Sequence, residues 1–137
     1  METSTAFAAI ALAAVSWDGS LTMAGTRALR HSLDYRRPFN GFDDQAMGAM
    51  LNQLLQQLRA FGAQHMMIEA AEGLSPSQRA TAYAVAAEIM RSDGPLVEDE
   101  RNILANLAGV LELDEAVSGE ILRVMDVLHA DLVGALS

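Results

Sequence analysis

The stretch Ser92-Asp93-Gly94-Pro95-Leu96-Val97-Glu98-Asp99-Glu100 is where this chain's residue types come closest to a chemical site, because four carboxylates fall within eight positions. Hard divalent cations such as calcium and magnesium take oxygen ligands, and a tight turn between two helices can aim such side chains at one point. Asp93 leaves the end of one predicted helix, Glu98 and Glu100 stand in the first turn of the next, and Glu88 lies one and a half turns upstream in loose register. The spacing is not that of an EF-hand, whose loop places its glycine at the sixth position; here Gly94 follows the first acid directly. The same residues have a second reading. Acids are favoured in a first helical turn by the helix dipole, and Asp-Gly is ordinary turn chemistry. Capping and metal binding both stand on the sequence.

Other groups offer less. His31, His65 and His129 share no spacing that makes a metal or catalytic set, and each reads as a helix-face or partly buried histidine. Met66 and Met67 are adjacent, face different sides of a helix, and read as core filler. Ser4, Ser16 and Ser92 lack a nucleophile elbow or a paired base. No phosphate loop or dinucleotide fingerprint is present. Trp17 precedes an earlier Asp-Gly turn, Asp18-Gly19, and is expected to pack the end of its helix.

The elements that would position these groups are helices. Half of the 137 residues are apolar, aromatics are few, and Ala, Leu and Met dominate, which favours close-packed helices over a β-sandwich. Ser75, Pro76 and Gln78 spell a capping box with proline at the first position, opening a helix predicted over 76–92 whose apolar residues wrap most of its sides. Gly94-Pro95 breaks it. A second helix is predicted over 97–110, and a last one capped by Asp114 with Val117, Ile121, Val124, Met125, Leu128 and Leu132 at helical spacing. In the first half, helices are predicted over 4–17, 23–34 and 43–60, followed by a linker helix over 63–72 that ends at Gly73. That makes about seven helices in an all-α fold. Tyr35 to Gly41, with the pair Arg36-Arg37, reads as an exposed loop.

The chain also repeats itself. Residues 6–33 overlay 81–108 without a gap at an offset of 75, so that Asp18-Gly19 falls on Asp93-Gly94, Leu21 on Leu96 and Leu29 on Leu104. After a small register change, Phe42-Asp43-Asp44 falls on Leu113-Asp114-Glu115. The expectation is one domain over 1–137, built from two related units at about 4–60 and 76–136 around central alanine-rich helices. The uncharged run from Thr3 to Trp17 is shorter than the ~20 apolar residues of a spanning helix, and Glu2 stands where a signal peptide carries positive charge. A buried helix explains it.

Charge and composition close several function classes. The net charge is −9, with thirteen acids and four arginines in residues 69–137 against five of each in residues 1–68. Such a surface repels phosphate backbones and anionic headgroups, so nucleic acid and the membrane surface are not the expected partners. Cations or basic proteins are. The chain has no lysine, which removes Schiff-base chemistry. It has no cysteine, which removes disulfides and thiol redox chemistry and agrees with a cytoplasmic protein.

An alanine-rich helix, then Asp-Gly-x-Leu, then glutamates at the start of the next helix resembles the TerB-like tellurite-resistance family, and the match covers most of the chain. The resemblance implies a cytoplasmic bacterial domain whose acidic clusters bind divalent metal and which works through protein partners in tellurite resistance and stress response. Carried over by position, the ligands are Asp93, Glu98 and Glu100, with Asp18 at the equivalent place in the first unit. There Met23 and Gly25 replace the two glutamates, which puts a second complete site in doubt. The expected function is a non-enzymatic, metal-binding interaction module holding calcium or magnesium, with no organic cofactor and room for a homo-oligomer. A small metal-dependent hydrolase using the same carboxylates, and a structural scaffold without metal, are the alternatives.

Overall fold

The computed structural model describes residues 1–92 and 94–133. Among them are seven α-helices and no strand: α1 (Thr3–Val15), α2 (Met23–Asp34), α3 (Asp44–Phe61), α4 (Ala63–Ala71), α5 (Pro76–Arg91), α6 (Glu98–Val110) and α7 (Glu115–Leu128). A short 3-10 turn spans Phe39–Gly41.

Helix α1 is the axis of the fold. Ala6 and every residue from Ala8 to Ala14 are buried, so the helix has no polar face and must be enclosed. Alanine combines the highest helix propensity with the smallest side chain, which lets α4 and α5 lie close on either side, with α2 and α3 completing the enclosure. Helix α5 is its counterpart, burying Ala82, Tyr83, Val85, Ala86, Ala87, Ile89 and Met90. Its start is the expected capping box: Ser75 Oγ accepts from the Gln78 N–H, and Gln78 Oε1 accepts from the Ser75 N–H. Met66 and Met67 are both buried, because α4 is covered on two sides.

The stretches aligned in the sequence agree in several backbone details. Thr22 is the N-cap of α2 and Val97 the N-cap of α6, 75 residues apart; Gly19 and Gly94, at the same offset, both have positive φ, +84° and +124°. Asp43 and Asp114 are the N-caps of α3 and α7, as their alignment requires. Because α1 of one unit packs on α5 of the other, neither unit can bury its central helix alone. Calorimetry of the full chain is expected to show one unfolding transition, and two resolved transitions would contradict a shared core.

Two expectations are corrected. The stretch 35–41 is not uniformly exposed: Phe39 is buried and packs against Phe7 and Phe42, anchoring the loop to α1. Its arginines are likewise not an exposed pair. Arg36 is half-buried, lies over the rings of Phe7 and Tyr35, and donates to the Ser32 carbonyl at 3.1 Å, so only Arg37 is exposed. Of the apolar residues at helical spacing in α7, only Ile121 and Met125 pack against the core. None of the helix's residues is fully buried; Val117, Val124 and Leu128 are exposed, and the helix ends before Leu132.

Candidate functional site

The first Asp-Gly turn is pinned from several sides. Ser16, fully buried at the end of α1, donates its hydroxyl to the Ser20 carbonyl at 2.8 Å. The Gly19 N–H reaches the Ser16 carbonyl, and Asp18 Oδ1 accepts the Ser20 N–H at 3.0 Å, an Asx turn. Arg59 of α3 donates from Nε to the Gly19 carbonyl at 2.9 Å. Positive φ at Gly19 explains the glycine. Asp18 is thereby held on the surface at the C-terminal end of α1.

The second turn leads into α6, where the three acids part company. Glu100 Oε1 accepts the Val97 N–H at 3.1 Å, the carboxylate half of a capping box. The equivalent first-unit position supplies the other half: Thr22 Oγ1 accepts the Gly25 N–H at 2.9 Å. Each unit therefore caps its second helix with one arm of the same motif, and capping is a real use of Glu100. Glu98 is exposed. Asp93 lies outside the described residues.

Asp18 of the first turn and the first turn of α6 line one groove of about 710 Å³. Asp18, Trp17 and the end of α1 form one wall, the start of α2 and the end of α5 the floor, and Asp99, Glu100, Asn102 and Asn106 of α6 the other wall. Glu98 is not among its lining residues, whereas Asp99 is. Successive helical residues point about 100° apart, so one acid of the Glu98-Asp99-Glu100 run must turn away. The wall also carries Asn102 and Asn106 at one-turn spacing after Asp99, a polar face of α6 that the sequence displays but that stands out only beside α1. Trp17 is 37% exposed and edges the groove rather than packing the helix end.

The groove's described lining contains three carboxylates, two carboxamides and no basic side chain. Oxygen donors of this kind suit a hard cation. Even so, no three His, Asp or Glu side chains among the described residues stand close enough together to hold an ion. The donor chemistry fits calcium or magnesium; a cage that strips the ion of its water is not assembled from these residues.

The histidines stand apart. His65 pairs with Glu69 on the surface of α4, and His129 at the end of α7 meets Glu88 of α5 at 3.0 Å. Glu88, placed upstream of Asp93 as an extension of the acidic set, is instead committed to α7. A second groove of about 640 Å³ runs past Phe7, Tyr35, Arg36 and Arg37 to the start of α5.

The family model described as Tellurite resistance protein TerB matches residues 4–122. The chain belongs to the TerB family. Comparison with curated proteins and with solved structures returned no match. The TerB match takes in both Asp-Gly turns and the whole acidic groove and stops at Leu122, part-way along α7. No helix among the described residues is long and apolar enough to cross a membrane.

Proposed function

We propose that this TerB-family chain is a non-enzymatic interaction module in tellurite resistance and stress response, whose acidic groove draws in a hydrated calcium or magnesium ion and presents the neutralised surface to a protein partner in the cytoplasm. The observation that carries the reading is that Asp18 of the first unit and Asp99 and Glu100 of the second line one groove. Two half-sites that each lack a full ligand set thus complement one another. Magnesium keeps several waters when bound by one or two carboxylates, which suits walls that do not converge. Support against the hydrolase alternative comes from the lining: it includes no histidine, and the hydroxyl of Thr22 is engaged as a cap.

Calorimetric titration of the full chain tests this. Affinity is expected in the range of about 0.1–1 mM, as for open, hydrated calcium sites. Asp18→Asn and Asp99→Asn should each weaken it by about fivefold or more, the size of one lost carboxylate contact to a cation at a wet surface. Glu98→Gln should leave it unchanged, because Glu98 is off the groove. Binding insensitive to Asp18 and Asp99, or abolished by Glu98→Gln, would overturn the groove as the metal site.

A further inference from the structure

We propose that α7 is the contact face of a symmetric homodimer, in which two copies pair their α7 helices antiparallel. Twelve large apolar side chains are exposed in the described chain; six of them, Val117, Val124, Val127, Leu128, Leu132 and Val133, belong to α7 and the residues that follow it, while the other six are scattered over the rest of the molecule. Such concentration marks an interaction surface, since single exposed apolar residues are ordinary.

The stripe is organised. At 3.6 residues per turn, Val117, Val124 and Leu128 fall within about 40° of one another, with Ile121 at the edge of the same arc and Met125 and Leu122 further round the helix. Those three pack on the core; the first three do not. The apolar arc of α7 is therefore wider than its own domain covers. The helix is nonetheless fixed in place, by Arg91–Asp126 at 3.5 Å and Glu88–His129 at 3.0 Å, so the stripe is presented on a positioned element.

Charge selects the occupant. Glu120 and Arg123 rim the outer side of the stripe, and neither makes an ion pair among the described residues. In an antiparallel pair with its two-fold axis near Leu122, Val117 meets Val127 of the second copy. Glu120 then comes within a turn of the other copy's Arg123, twice by symmetry. A parallel two-fold pair would instead turn the Glu120 and Arg123 rims of the two copies to opposite sides, out of reach of one another, so the charges favour the antiparallel direction. The family match ends at Leu122, so Val124, Val127 and Leu128 lie beyond it.

Sedimentation equilibrium on the full chain, without added metal, decides it. A single helix pair is a small interface, so the mass should rise from one chain toward two with a dissociation constant of about 10–100 μM. Val124→Glu with Leu128→Glu should hold the mass at one chain with unchanged far-ultraviolet circular dichroism. Glu120→Arg alone should weaken association about three- to fivefold, and Glu120→Arg with Arg123→Glu should restore it. A one-chain mass at every concentration overturns the dimer, as does a dimer indifferent to the two glutamates. Failure of the double charge reversal to restore association overturns the antiparallel register. None of these outcomes bears on cation binding in the groove.

Discussion

Leu12→Ala is expected to lower the stability of the fold by about 3–4 kcal/mol, the largest single effect of any side-chain truncation considered. Leu12 is fully buried in the middle of α1, flanked by alanines from Ala8 to Ala14 that are themselves buried. Its removal leaves a cavity that neighbouring alanine methyl groups are too short to fill, and the surrounding helices cannot approach further, because their backbones already lie close to α1. For a domain of this size each kcal/mol corresponds to roughly 3–5 °C, so a melting temperature about 10–15 °C lower is expected. The matched control is Ile68→Ala on α4, half-exposed and outside the core, which should shift it by no more than about 2 °C. Equal shifts for the two variants would contradict the assignment of α1 as the central helix.

The second large effect belongs to Arg79. Its guanidinium donates to three backbone carbonyls: from Nε to Leu74 at 3.1 Å, from Nη1 to Leu111 at 3.3 Å, and from Nη2 to Ala71 at 2.7 Å. Ala71 is the last residue of α4 and Leu111 the C-cap of α6, so one side chain on α5 closes the ends of two other helices, where unpaired carbonyls and the negative end of the helix dipole favour a cation. Arg79→Met should cost about 2 kcal/mol, since charge-assisted bonds are lost while water recovers part of their energy. Arg79→Lys should recover less than half of that, because an ammonium cannot spread over three carbonyls as the planar fork does. Glu112 stands 3.9 Å from Arg79, but it is largely exposed, and Glu112→Gln should be nearly neutral. Chemical denaturation of the three variants measures all of these; full recovery by lysine would mean that charge alone, not the fork geometry, closes the helix ends.

Both effects bear on the groove. Arg79 locks α5 to the ends of α4 and α6, and Leu12 holds α1 against its neighbours. The acids of the groove sit at the end of α1 and the start of α6. Loss of either anchor would be felt as looser spacing between Asp18 and Asp99 before it was felt as loss of helix.

Much of this protein is legible in short windows of sequence. The capping box at Ser75, the cap at Asp43, the glycines that turn after α1 and α5, and the limits of the first six helices to within a residue or two all follow from side chains acting on backbone a few positions away. The enclosure of α1 and α5 follows as well, since a helix apolar on every side has only one place to go. Even the duplication is a local pattern seen twice.

What the sequence could not decide depends on distance and direction through space. That Asp18 and Asp99, about eighty residues apart, line one groove requires the packing of α1, α2, α5 and α6 together. That Glu98 turns away while Asp99 turns in depends on the angle at which α6 leaves its cap, where one residue of register is about 100° of direction. The apolar spacing of α7 announced contact with the core correctly for Ile121 and Met125, but the same period also runs through Val117, Val124 and Leu128, and only the position of the core tells which side it reaches. Periodicity fixes that a helix has an apolar face; tertiary packing alone fixes how much of that face the protein covers for itself.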